Sequence, residues 1–135
     1  MSHAIVTTRS GILNQYNPEV SPNPKEWIEL DEQLRIILIE KYHLQKHVKL
    51  SDPAVHATFH SIIESQIAEK LAPVLRAMVR LTDGGLTRHE AVHAVASVLA
   101  EHIHDQFEAK DNLTVSQARY TAAVERLTVN IWLNR

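Results

Sequence analysis

Pro73 is the residue that most limits how this chain can fold. Apolar residues recur at helical spacing from Pro53 to Asp83, and Pro73 falls in the middle of that run. Proline has no amide hydrogen to donate and its ring clashes with the preceding turn, so a helix does not pass through it undisturbed. The sequence therefore predicts a helix over about Pro53 to Glu69 that buries Val55, Phe59, Ile62, Ile63 and Ile67. A break follows within Lys70 to Ala72. A short helix carrying Val74, Leu75, Met78 and Leu81 comes next and ends at Asp83-Gly84-Gly85.

The same punctuation places the other elements. Asn23-Pro24-Lys25-Glu26 offers a cap with proline at the first helical position. Trp27, Leu30, Leu34, Ile37 and Leu38 then form one apolar stripe, predicting a helix to about Tyr42 or Gln45. A basic connector, Lys46-His47-Val48-Lys49, leads to the cap Asp52-Pro53. Thr87-Arg88-His89-Glu90 reads as a capping box opening a helix to about Glu108. Thr114-Val115-Ser116-Gln117 opens the last, predicted to run to the C-terminus with Tyr120, Val124, Leu127 and Ile131. Only three glycines occur, and no alternating β-branched run is bounded by hairpin turns, so no strand is expected. The expectation is an all-α fold: a bundle of four main helices and one short helix over residues 24–135, behind an extended N-terminal arm, residues 1–23.

Composition excludes several functions. A formal net charge of −2 gives no electrostatic footprint for nucleic acid or an anionic membrane. No apolar run approaches the ~20 residues that span a bilayer. The N-terminus lacks a basic segment followed by an apolar core, so the expected location is cytoplasmic. Cysteine is absent, so a bound metal must be held by nitrogen and oxygen.

Two histidine pairs raise that possibility. His56 with His60, and His89 with His93, are each spaced four residues apart, which stacks two imidazoles on one helical face. Imidazole is the commonest protein metal ligand. His89-Glu90-Ala91-Val92-His93 also matches H-E-x-x-H, in which two histidines hold zinc and the glutamate is the general base. His89 lies in the first helical turn, where the macrodipole disfavours imidazolium and keeps the ring in its metal-binding form. Glu64, one turn beyond His60, is placed to ligate or to orient an imidazole, with Gln66 a further polar group nearby. The break before Pro73 allows the chain to return so that the two pairs come to one level. The expected metal ligands are thus His56, His60, His89 and His93, with Glu90 and Glu64 as catalytic carboxylates and Zn²⁺ or Fe²⁺ as the ion.

The plain readings stand beside these. Glu90 is already accounted for by the capping box, and a buried histidine is more often bonded to a carbonyl than to a metal. Glu40-x-x-His43 and Glu101-x-x-His104 echo the Glu-x-x-His motif of dimetal bundles. Those bundles need facing motifs and further glutamates, and Glu101 to Asp105 reads more simply as a solvated helix end.

Three segments carry a resemblance: Tyr42-His43; His56-Ala57-Thr58-Phe59-His60 through Glu64-Ser65-Gln66; and Arg88-His89-Glu90-Ala91-Val92-His93-Ala94. They resemble a family of small helical bacterial proteins of unknown function with HAxxHxxxExQ and RHEAxHA motifs. The resemblance covers roughly Pro24 to His104. It departs at Ser65, where many members carry Asn, and at Lys70 to Pro73, where they carry a Gly-Asp-Pro turn. It singles out His56, His60, Glu64, Gln66, His89, Glu90 and His93, and implies no chemistry.

Three functional classes follow. In a metal-dependent enzyme, Glu90 or Glu64 would act as base on a metal-bound water. In a metal-stabilised module, four nitrogens would close the coordination sphere. The third class is a metal-free interaction subunit, a homo-oligomer or a protein partner docked through the arm, with Trp27 and Trp132 as anchors. An H-E-x-x-H peptidase is disfavoured, because no edge strand is available to hold an extended peptide.

Overall fold

The computed structural model describes residues 15–46 and 52–135. Among them the regular structure is entirely helical, as the sequence predicts. The first fourteen residues of the predicted arm and most of the basic connector lie outside the described residues. The chain divides into two compact units, with the boundary between Glu69 and Lys70.

The first unit holds α1 (Pro24–Glu29), α2 (Glu32–Gln45) and α3 (Pro53–Ala68). Asn23 accepts from the Glu26 amide and caps α1, and Asp52 accepts from the Val55 amide and caps α3. Both caps precede a proline, which suits the helix start because its missing donor is not needed there. The single helix predicted from Pro24 onward is instead two. Leu30 takes an extended conformation and turns into the core, and Asp31 caps α2 by accepting from the Leu34 amide at 2.9 Å. The break frees carbonyls at the end of α1, and Arg35 satisfies them. Its Nε donates to the Trp27 carbonyl at 3.0 Å and its Nη2 to that of Ile28 at 2.8 Å.

Trp27, Leu30, Ile39, Ala57 and Tyr16 form the core of this unit. Trp27 is fully buried and its indole Nε1 donates to Ser65 Oγ. It is therefore a core residue, as its place on the apolar stripe predicts, rather than the docking anchor of the metal-free interaction subunit. Ser65 also accepts from Arg35 Nη1 at 3.1 Å, so this one hydroxyl ties α3 to the α1–α2 junction. Val55, expected in the core, is 48% exposed. The stretch preceding α1 is not helical. A turn at Asn17 to Val20 leads into it, and Pro18, Pro22 and Tyr16 are buried.

The second unit holds α4 (Ala72–Asp83), α5 (Arg88–Ala109), α6 (Leu113–Arg126) and α7 (Val129–Leu133). Lys70 adopts a left-handed φ of 59° just before α4, and Pro73 sits in its first turn, where proline is tolerated. Gly84 is required by packing, since a Cβ there would lie 2.6 Å from Val129 Cγ2. The interior comes from Val74, Ala77 and Leu81 of α4, the Ala91–Leu99 face of α5, and Tyr120 and Val124 of α6. Here too one predicted helix is broken. Leu127 turns extended and is buried, and Thr128 caps α7. Arg80 Nε donates to the Leu127 carbonyl at 2.7 Å and its Nη2 to that of Val124 at 2.9 Å. No helix among the described residues is long and apolar enough to cross a membrane.

Candidate metal centre

α2 and α3 pack on each other in the first unit, and their contact face carries histidines from both. His43 lies in the last turn of α2 and is buried. His56 and His60 lie one turn apart on α3, the first half-buried and the second wholly buried. The three rings are near-perpendicular neighbours. Centroids are 4.8 Å apart for His43 and His56, 5.5 Å for His43 and His60, and 5.9 Å for His56 and His60. Each offers a nitrogen, and these nitrogens lie within 4.8 Å of one another. A tetrahedral zinc ion at its usual ~2.0–2.1 Å from imidazole needs donors about 3.4 Å apart.

The surroundings are polar and specific. His43 Nδ1 lies 2.9 Å from the Ile39 carbonyl. A carbonyl only accepts, so Nδ1 carries the hydrogen and Nε2 carries the lone pair. Tyr16 comes from the non-helical stretch before α1, and its hydroxyl lies 2.7 Å from His60 Nε2. The same hydroxyl donates to Glu64 Oε2. Glu64 is itself 1% exposed, one turn beyond His60, with Oε2 4.0 Å from His60 Nε2. Burying a carboxyl group is costly unless it is hydrogen-bonded or faces positive charge, so this placement marks a built site rather than a surface accident.

Tyr16 packs edge-on against His60 at 5.4 Å and Tyr42 against His43 at the same distance. Both tyrosines also line a cavity of about 560 Å³ with Gln15, Glu19, Lys41 and Lys46. Burial, and after it the negative charge of Glu19, pushes the Tyr42 hydroxyl above the usual tyrosine value.

The second pair, in the second unit, is arranged differently. His89 and His93 approach each other directly, with Nε2 atoms 2.9 Å apart and ring centroids 4.1 Å apart. That separation suits an N–H···N hydrogen bond. It also suits chelation, since two nitrogens so spaced subtend about 90° at an ion ~2.0–2.1 Å from each. Glu90 is exposed and completes the capping box: its Oε1 accepts from the Thr87 amide at 2.9 Å, and the Glu90 amide donates to Thr87 Oγ1 at 3.1 Å. Its carboxylate therefore has a structural task independent of catalysis.

Of the residues expected from the sequence, His56, His60 and Glu64 come together in the first unit, and His89 and His93 face each other in the second. His43 was visible as the end of Glu40-x-x-His43, a motif set aside for lack of partners, and in the Tyr42-His43 segment of the resemblance, but it was not among the expected ligands. Tyr16 gave no signal, because a lone tyrosine in a non-periodic segment has no pattern. Glu101 and His104 are exposed, Glu101 pairing with Arg135, while His102 bonds to Ser116 Oγ at 3.0 Å. Comparison of the chain with protein-family models, curated proteins and solved structures finds no match.

Proposed function

We propose that this protein binds a transition-metal ion, Zn²⁺ or Fe²⁺, on the imidazoles of His43, His56 and His60. The observation that carries the reading is the convergence of those three side chains, from two helices, within 4.8 Å of one another. The surroundings support it: the hydrogen bonds at His43 and His60 are of the kind that orient metal-ligating histidines and fix their tautomers. Nitrogen ligands suit both ions, and the absence of cysteine leaves thiolate-preferring metals without their ligand.

Whereas a fourth imidazole would close the coordination sphere, an ion held by three protein nitrogens alone would keep a fourth position for water, as catalytic zinc sites do. An ion so held would acidify that water and make it a nucleophile near neutral pH. The cavity lined by Tyr16 and Tyr42 is in the size range of small-molecule sites, so the substrate under this reading is a small polar molecule. Glu64, already accepting from Tyr16, would serve to orient His60 rather than to take a proton.

Elemental analysis of untagged protein tests the proposal. One equivalent of zinc or iron per chain supports it, and metal-free protein that binds neither ion on titration ends it. X-ray absorption on the loaded protein then counts nitrogens. Three with one oxygen fit the water-bearing centre. Four mark a closed, structural site, and loss of one of the four on His89→Ala or His93→Ala would assign it to the wider ligand set expected from the sequence.

A further inference from the structure

We infer that Tyr16 and Glu64 are positioning residues that hold His60 as its Nε2–H tautomer, so that His60 binds metal through Nδ1 whereas His43 binds through Nε2. The inference rests on the metal reading above and adds to it which atom of each ring ligates and what sets that choice.

A tyrosine hydroxyl has one hydrogen. Tyr16 donates it to Glu64 Oε2, a buried carboxylate oxygen. The contact of 2.7 Å between Tyr16 and His60 Nε2 must then be made by the imidazole N–H donating into the tyrosine oxygen. A neutral imidazole with hydrogen on Nε2 carries its lone pair on Nδ1. The chain of bonds therefore runs from His60 to Tyr16 to Glu64, and Glu64 acts on the imidazole through the phenol, since its own oxygen is 4.0 Å from Nε2. At His43 the Ile39 carbonyl imposes the opposite tautomer. Two ligands of one centre are thus fixed in opposite senses, one by its own helix backbone and the other by a residue 44 positions away in sequence.

A consequence follows for the segment that carries Tyr16. Because its docking prepares a ligand, metal binding and docking must favour each other by the same factor. Tyr16, in the described stretch before α1, is then part of the metal centre.

Side-chain nitrogen NMR on the full-length, metal-free protein is the direct test, with His60→Gln used to assign the resonances. The expected result is hydrogen on Nε2 of His60 and on Nδ1 of His43. Zinc should then shift His60 Nδ1 and His43 Nε2. Tyr16→Phe keeps the ring packing and removes the hydroxyl. It should mix the His60 tautomers and weaken zinc binding by about 10–100-fold, the usual effect of losing such a support. Hydrogen on Nδ1 of His60, or a Tyr16→Phe protein with unchanged tautomer and affinity, overturns the inference. Wild-type protein that takes up no zinc overturns the metal centre instead, and the metal-free spectrum, assigned with His60→Gln, still decides the tautomer.

Discussion

On α3 the pair His56 and His60 is joined by His43 from α2 and by Tyr16 from outside the helices, with Glu64 buried behind Tyr16. On α5 His89 and His93 face each other, and the glutamate between them caps the helix. The spacing is the same and the outcome is not. The better-known motif, H-E-x-x-H, spends its carboxylate on the backbone. The plainer pair acquires neighbours that fix its rings. An i, i+4 spacing places two imidazoles on one face, but only surrounding side chains decide their tautomer, burial and further ligands.

The largest effect expected from this contrast is at His60. His60→Ala should lower zinc affinity more than about 100-fold, beyond the ~10–100-fold typical of supporting residues, as read by titration calorimetry. His43→Ala should act in the same sense. Retained stoichiometric binding in either variant would break the contrast.

Acid should come next. Protons compete with metal for each imidazole lone pair, and imidazoles ordinarily titrate near pH ~6.5. Affinity should therefore hold above that value and fall steeply below about pH 6, because several rings must release protons together. A flat zinc-binding profile from pH 7.5 to 5 would show that the histidines are not the donors.

A smaller effect belongs to the α5 start. Thr87→Ala removes the hydroxyl that accepts from the Glu90 amide and should cost about 1 kcal/mol of stability in urea unfolding, the usual loss for such a cap. Smallest of all should be Glu90→Gln. Glutamine can still accept from the Thr87 amide, so thermal unfolding should barely move and metal content should be unchanged. Any hydrolytic turnover surviving in Glu90→Gln places the base elsewhere than at Glu90. Turnover lost with metal retained would restore the motif to its familiar role.

Much of the fold was legible because helix starts are local. Asn23 before Pro24, Asp52 before Pro53 and Thr87 before Glu90 each cap the amides that the sequence places within reach. The break before Pro73 follows from ring geometry alone. The two breaks at Leu30 and Leu127 were not legible. In each, a leucine turns into the core, a capping side chain restarts the helix, and an arginine bonds to the carbonyls released. Arg35 reaches back to α1 from the next helix, and Arg80 reaches α6 from 44 and 47 residues away. Neither partnership leaves a trace in the hydrophobic period, which runs through both breaks.

By itself the sequence determined the helical class, the capped helix starts and the pairing of His56 with His60 and of His89 with His93. These depend on backbone sterics and on a period of 3.6 residues, which act over a few positions. Only the tertiary structure brought His43 and Tyr16 to His60 and buried Glu64 behind them. Those contacts join residues 17 to 48 positions apart, and their directions depend on how α2, α3 and the stretch before α1 pack. A hydrogen bond specifies a tautomer through the position of one atom, and that position belongs to the packed unit.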